Sequence, residues 1–103
     1  MNRLEFKQKW NYSPECGDGW LRLIDRALGS MKQRNSDFQI RQIKEKFGAL
    51  RIYTDISNDD EFVWGIKDMA ESISTTICEE CGDSGRVSYK SGWTRTRCEK
   101  HES

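Results

Sequence analysis

Three cysteines and the only histidine of the chain stand in two pairs. Cys78 and Cys81 form a Cys-x-x-Cys pair, and sixteen residues separate it from the Cys-x-x-His pair of Cys98 and His101. Tetrahedral Zn²⁺ commonly takes thiolate and imidazole ligands, and two intervening residues let one tight turn direct both donors at one ion. Gly82 follows the first pair and can adopt the positive φ that such a turn needs. The spacing predicts a zinc site with these four ligands.

A disulfide framework that includes Cys16 is the alternative use of the cysteines. The chain starts directly into charged residues without an apolar signal segment, so we expect it in a reducing cytoplasm, where thiols bind metals. Four protein ligands close the coordination shell and leave no position for a substrate, so the predicted zinc is structural. Its binding free energy, on the order of 10 kcal/mol, adds to the folding free energy of a short segment.

Composition predicts a small domain with a thin core. Of the 103 residues, 35% are hydrophobic and 33% are charged, and no apolar run is long enough to span a membrane. The formal net charge of zero argues against a protein that coats nucleic acid by bulk electrostatics. The charge is nevertheless segmented, with +4 over residues 32–51, −8 over 55–83 and +3 over 84–103, so one face can still hold an anion.

Two helices and two hairpins follow from the apolar pattern. One helix is predicted over residues 18–33, a β-hairpin over 37–54, and a second helix from about 61 to 77; residues before Pro14 form a short helix or hook of weak periodicity. The stripe of the second helix, which we expect to face the core, consists of Phe62, Ile66, Met69, Ile73 and Ile77. A smaller hairpin, residues 86–96, lies between the ligand pairs, as in a zinc ribbon or a truncated treble clef.

The predicted fold class is therefore α+β, with two helices and a β-hairpin followed by a C-terminal zinc-ribbon-like module. We expect residues 1–77 to form the α+β core and residues 78–103 to form the zinc-binding ribbon, packed together as one compact unit.

The first hairpin is the main candidate for ligand binding. Lys44, Lys46, Arg51 and Tyr53 combine three cationic donors with one aromatic ring. Arginine grips phosphate with two hydrogen bonds and tyrosine stacks on a base, so the set suits a nucleotide. The alternative is an ordinary solvated strand face.

A second candidate precedes the first helix, where Gly17, Gly19 and Trp20 could present backbone N–H groups to an anion. The alternative is a turn in which Asp18 caps the helix and Trp20 joins the core. Cys16 has no free histidine to activate it, which favours a buried structural thiol over a nucleophile.

The sequence also predicts the surroundings of two other tryptophans, Trp64 and Trp93. Trp64 lies off the stripe of the second helix, and its exposure would mark an interface, including one between copies of the chain. Trp93 is expected to pack beside the zinc hairpin.

The chain also resembles a family of small bacteriophage and prophage proteins. The resemblance runs from about residue 15 to His101, and its most specific part is Lys-Glu-Lys-Phe-Gly-x-Leu-Arg-x-Tyr at residues 44–53. Cys-Gly-Asp-Gly-Trp at 16–20 and Cys-Glu-Glu-Cys-Gly at 78–82 extend it. The resemblance implies that the protein originates from a mobile element and is located in a bacterial cytoplasm. It implies no particular activity.

A binding protein is the function that these features favour. No carboxylate pair, free histidine or open metal position indicates an enzyme. We expect a zinc-stabilised phage-type protein that sequesters a phosphate-bearing nucleotide signal or inhibits a host defence protein. The alternative is a zinc-ribbon nucleic-acid-binding regulator, which the basic residues of both hairpins favour and the neutral net charge disfavours.

Overall fold

The computed structural model describes residues 1–102 and has an α+β fold. In chain order its elements are α1 (Arg3–Trp10), a 3₁₀ helix (Asp18–Trp20), α2 (Leu21–Arg34), β1 (Ile40–Lys46), β2 (Ala49–Thr54), α3 (Glu61–Ser74), β3 (Arg86–Lys90), β4 (Trp93–Arg97) and a second 3₁₀ helix (Glu99–His101). The strands form two separate antiparallel hairpins, β1–β2 and β3–β4. The α+β class and both hairpins are confirmed, and α1 is a third helix where the predicted fold has two. None of the helices described is both long and apolar enough to cross a bilayer.

Capping explains α1, whose apolar periodicity is weak. The Asn2 side chain accepts from the Glu5 N–H at 2.9 Å, and Glu5 accepts from the Asn2 N–H at 3.0 Å, which is a capping box. Asn11 ends the helix in the left-handed region with φ 53°. The helix contributes one fully buried side chain, Phe6, to the core.

One apolar face of α2 forms the centre of the core. Leu21, Ile24, Leu28 and Met31 are fully buried, together with Trp20 immediately before the helix. Residues three and four apart share one helical face, and this face packs against α3 and belongs to one hydrophobic cluster with the buried residues of the first hairpin.

The first hairpin turns at Phe47 and Gly48, which have φ values of 53° and 83°. Two successive positive φ values match the twist of antiparallel strands in a two-residue turn. The register places Ile43 opposite Ile52 on the buried face. Glu15 forms a parallel bridge with β1, so the outer edge of this strand is paired.

The structure changes the predicted orientation of α3. The helix starts after Asp60, whose side chain caps the Val63 N–H at 3.1 Å. Its buried residues are small ones, Val63, Ala70 and Ser74. The expectation that the apolar stripe faces the core is wrong for Phe62, Met69 and Ile73, which are all exposed. The helix packs closely on α2 and β2 through the smaller side chains, which leaves the larger ones outside.

Replacing Ser74 by alanine is expected to destabilise the protein by about 2 kcal/mol, because a buried N–H would lose its acceptor. The Ser74 hydroxyl accepts from the Leu50 N–H at 2.9 Å and donates to the Glu71 carbonyl. Urea unfolding of Ser74→Ala measures the loss. Ser72→Ala, an exposed serine of the same helix, is the control, and equal stability of the two variants would contradict the assigned role.

Candidate metal centre and hairpin surface

The four predicted metal ligands come together from two turns. Cys78 and Cys81 lie in the turn that follows α3, Cys98 directly follows β4, and His101 closes the 3₁₀ helix Glu99–His101. Their ligand atoms all lie within 4.8 Å of one another. The sequence spacing therefore identified a real cluster of donors in space.

Three of the separations between the donor atoms are close to those expected around one tetrahedral ion. The Cys81 and Cys98 Sγ atoms are 3.6 Å apart, and the His101 Nδ1 atom is 3.7 Å from Cys78 Sγ and 3.2 Å from Cys98 Sγ. Metal–sulfur bonds near 2.3 Å and metal–nitrogen bonds near 2.0 Å at tetrahedral angles give separations of about 3.5 to 3.8 Å. The four side chains lie close enough to bind a metal ion.

Backbone hydrogen bonds form both ligand turns. Gly82 has φ +87°, and its N–H donates to the Cys78 carbonyl at 2.9 Å. The Cys78 N–H donates to the Asp83 carbonyl at 2.7 Å. In the other half of the site the His101 N–H donates to the Cys98 carbonyl at 3.0 Å. These bonds form within the segments themselves, so each ligand pair is oriented by its own turn.

The ionisation of the thiols also favours a cation at this site. Burial raises the pKa of Cys78, but backbone N–H groups of Cys98, Cys81 and Glu80 outweigh it and lower the pKa to about 6. The Asp83 N–H lowers the pKa of Cys81, but burial and the neighbouring thiols raise it to about 11. Adjacent thiolates repel one another, so a bound cation would stabilise all of them together.

The segment from Gly17 to Trp20 packs directly on the first ligand turn. The Gly19 N–H donates to the Glu79 carbonyl at 2.7 Å, and the Gly17 N–H donates to the Glu79 carboxylate at 2.9 Å. The Trp20 indole N–H donates to the Ile77 carbonyl at 2.8 Å. A Cβ atom at either glycine would overlap backbone atoms of this turn. We call residues 17–20 the clasp.

The clasp corrects one sequence interpretation. The N–H groups of Gly17 and Gly19 that the sequence offered to an anion are bonded to Glu79 inside the protein. Trp20 is fully buried, as its alternative interpretation expected. The structure therefore gives the two glycines a packing role, and we do not retain an anion site there.

A buried ion pair joins the clasp to the second hairpin. The Glu79 side chain is about one-tenth exposed, accepts from Gly17, and pairs with Arg97 of β4 at 3.0 Å. Arg97 also contacts Glu80 at 3.3 Å. Through Glu79, this ion pair connects the clasp, the first ligand turn and β4 next to the metal ligands.

Cys16 lies outside the donor cluster. Burial, with the nearby Glu79 carboxylate, raises the pKa of its thiol to about 12. A thiol that stays protonated at neutral pH is a poor nucleophile.

The predicted ligand-binding residues share the outer face of the first hairpin. Lys44 lies opposite Arg51 in the register, and the Lys44 Nζ atom is 5.9 Å from the centre of the Tyr53 ring. Lys46 is exposed beside the turn. Arg51 donates to Glu71 of α3 at 2.8 Å, so one of the three predicted cationic donors already has a carboxylate partner.

The structure adds exposed aromatic residues that the sequence analysis missed. Phe47 is 73% exposed in the turn, and Tyr89 is 75% exposed on β3. Trp93, expected beside the zinc hairpin, is 69% exposed, so that expectation is wrong. The exposure of Phe47 could have been predicted from its position in a tight turn, because the tip of a turn has few neighbours that could bury a side chain.

The second hairpin packs against the turn of the first. The Thr96 hydroxyl donates to the Gly48 carbonyl at 2.6 Å, and the backbone of Arg95 passes 3.2 Å from the position of a Gly48 Cβ. Val87 lies opposite Thr96 and Tyr89 opposite Thr94, so both share the face that meets the turn. We define the hairpin surface as the half-buried Lys44 and the exposed Lys46, Phe47 and Tyr53 of the first hairpin together with the exposed Val87 and Tyr89 of the second.

No family model, curated protein or solved structure matches this chain. The resemblance to bacteriophage proteins therefore stays a prediction from the motif at residues 44–53, and the function has to be argued from the geometry.

Proposed function

We propose that the metal is Zn²⁺ and that its role is structural. Three thiolates and one imidazole form a soft, closed donor set that suits zinc better than hard cations such as Mg²⁺ or Ca²⁺. The observation that carries this assignment is that all four donor atoms lie within 4.8 Å of one another. Bound there, the ion would hold the turn after α3 and the end of β4 together, and it would thereby fix the second hairpin on the Phe47–Gly48 turn.

We further propose that the chain is a non-enzymatic binding protein and that the hairpin surface binds single-stranded nucleic acid. The observation that carries this proposal is the exposure of Phe47 and Tyr89 on two hairpins in contact, with Lys46 exposed next to Phe47 and without an ion-pair partner within residues 1–102. Exposed aromatic rings stack on unpaired bases of any sequence, and lysines attract the phosphate backbone. The surface combines both features on two hairpins in direct contact.

Shape favours an oligonucleotide over an enclosed small ligand. Phe47 and Tyr89 protrude from the hairpins and are about three-quarters exposed. A groove of about 680 Å³ lies elsewhere, between α2 and α3, and residues of the hairpin surface do not line it. Protruding rings suit a flexible strand that lies across them, whereas a sequestered nucleotide is normally enclosed by a pocket.

A phosphate-bearing nucleotide is the second candidate ligand, and one observation favours it. Lys44 lies within 5.9 Å of the Tyr53 ring and opposite Arg51, so a phosphate and a base would both find a partner within one strand pair. Sequestration of such a signal, inhibition of a host defence protein and a bacterial cytoplasmic location stay predictions with this candidate.

Fluorescence anisotropy of the zinc-loaded protein with labelled single strands, the matching duplex and cyclic dinucleotides tests the proposal. We expect single strands to bind best, with affinity that falls as salt rises. Phe47→Ala is expected to weaken binding about tenfold, the effect of losing one stacking residue. Lys46→Ala is expected to lower the slope of log affinity against log salt by about 0.7 for a single strand.

Matched controls lie elsewhere on the protein. Phe62→Ala removes an exposed phenylalanine of α3, and Lys7→Ala removes an exposed lysine of α1; both should bind as the unmodified chain does. Tight, salt-tolerant binding of one dinucleotide would favour sequestration. If neither oligonucleotide nor nucleotide binds, or if Phe47→Ala and Phe62→Ala bind equally, the assignment of this surface is wrong.

A further inference from the structure

The second hairpin has an outer face, opposite to the face that carries Val87 and Tyr89. Cross-strand partners of an antiparallel pair share a face, and neighbours along each strand alternate between the two faces. By this rule and the register of β3 and β4, the outer face consists of Arg86, Ser88, Lys90, Trp93, Arg95 and Arg97. Four of these six residues are cationic, and Trp93 is 69% exposed.

Three of the four cations contact Glu102, the residue after the metal ligand His101. Arg86 contacts the Glu102 carboxylate at 3.3 Å. The Lys90 Nζ atom and the Arg95 guanidinium donate to the Glu102 carbonyl at 3.4 and 3.3 Å. One carboxylate therefore stands against three positive charges, which leaves the outer face with an excess of positive charge.

Glu102 does not saturate the outer face. Its three contacts are longer than the 2.7 to 2.9 Å that is usual for hydrogen bonds between charged groups. The Ser88 Oγ and Arg95 Nε atoms, which belong to cross-strand partners, are buried without a hydrogen-bond partner within residues 1–102. Buried polar atoms nearly always have a partner. The Glu102 contacts are therefore weak enough for a stronger anion to replace them, and phosphate is such an anion for arginine and lysine.

A cavity of about 300 Å³ joins the outer face to the hairpin surface. Its lining consists of Ser88, Tyr89, Lys90, Glu99 and Glu102. Tyr89 belongs to the hairpin surface, whereas Ser88 and Lys90 belong to the outer face. The two surfaces are thus adjacent at Tyr89, and an acidic segment lies at the junction.

We propose that a single strand bound to the hairpin surface continues past Tyr89 onto the outer face, where its phosphates replace Glu102 and one base stacks on Trp93. This rests on the proposed function, in which a single strand is the ligand. Trp93 lies opposite Lys90 in the register, so an exposed ring and a cation stand side by side. Proteins that bind single strands combine these two groups along the path of the strand. Glu102 acts as an internal competitor for the phosphate.

Fluorescence anisotropy of the zinc-loaded protein with a labelled oligothymidine of about twelve nucleotides tests the stacking residue. Trp93→Ala is expected to weaken binding about tenfold, the effect of losing one stacked base. Trp64→Ala is the matched control, because Trp64 is 60% exposed on α3 and should not contact the strand. Both exposed residues lie outside the metal site, so each variant should retain one metal ion per chain.

The salt dependence of the same binding tests the competitor. Glu102→Gln removes the competing charge, so the strand should bind more tightly, and the slope of log affinity against log salt should steepen by about 0.7 for one more phosphate contact. Lys90→Gln should lower the slope by the same amount. Glu61→Gln makes the same charge change at the exposed start of α3 and should leave the slope unchanged. Metal analysis of Glu102→Gln verifies that the neighbouring His101 still binds.

The outcomes separate this proposal from the proposed function. If Phe47→Ala weakens binding and Trp93→Ala does not, the strand ends at the hairpin surface and the path over the outer face is wrong. A metal-loaded Glu102→Gln protein that binds no better than Glu61→Gln would overturn the role of Glu102 as a competitor. If the unmodified chain binds no single strand, the proposed function is wrong and the path over the outer face is wrong with it.

Discussion

Serine in place of Cys81 is expected to release the metal and to unfold the chain from about residue 78 onward. The apparent binding free energy of a structural zinc ion is about 10 to 16 kcal/mol, which exceeds the whole stability of many small domains. The second hairpin has little core of its own, since Thr96 is its one fully buried side chain. Metal content per chain and thermal unfolding measure the loss, and hydrogen exchange of residues 86–97 locates it.

Cys16→Ala is the matched control, because Cys16 is the one cysteine outside the donor cluster. It should retain one metal ion per chain and cooperative unfolding, with only the modest cost of a partly buried side chain. A Cys81→Ser protein with stoichiometric metal and an unchanged melting temperature would contradict the metal assignment. A chelator should reproduce the effect of Cys81→Ser on the unmodified chain and leave Cys81→Ser itself little changed.

Alanine in place of Gly19 is expected to cost about 3 kcal/mol, at the upper end of the range for overpacking. The new methyl group would overlap the Cys78 carbonyl and the Gly82 nitrogen. Both are backbone atoms of the ligand turn, so they have little freedom to move aside. The same displacement would disturb the Gly19 hydrogen bond to Glu79, and we expect weaker metal binding in a competition titration with a coloured chelator.

Gly29→Ala makes the identical chemical change where space is available. A Cβ atom at Gly29 meets no other atom within 4 Å, and the residue lies inside α2. Alanine there should stabilise the protein by about 0.5 to 1 kcal/mol through its higher helix propensity. The two variants are thus expected to change the free energy of unfolding in opposite directions. A Gly19→Ala protein as stable as Gly29→Ala would show that the clasp is looser than the structure indicates.

The metal ligands and the core helix were predictable because local spacing determines them. Two residues between donors specify a turn, and apolar residues three and four apart specify a helical face, whatever the rest of the chain does. The hairpin over residues 40–54 followed in the same way from alternating side chains. In each case the decisive information lies within about a dozen neighbouring residues.

The role of the clasp depends on a partner distant in sequence. Gly17 and Gly19 read locally as the open start of a helix, but their N–H groups bond to Glu79. Glycine indicates backbone freedom or a close approach, and the sequence alone does not distinguish the two. The predicted orientation of α3 was wrong for a related reason. Close packing against other elements places the small residues Ala70 and Ser74 in the interior and leaves the larger apolar residues outside.

The hydrogen bond from Gly17 to Glu79 also has a kinetic consequence. It joins residues 62 positions apart, whereas both hairpins and all three helices form from near neighbours. Hairpins close in about 1 to 10 μs, but contacts between distant residues carry a larger loop-closure entropy and slow the overall folding rate. We therefore expect the first ligand turn to acquire this support after α2 and the first hairpin have assembled, and rapid-mixing experiments should find metal capture to be slower than helix formation.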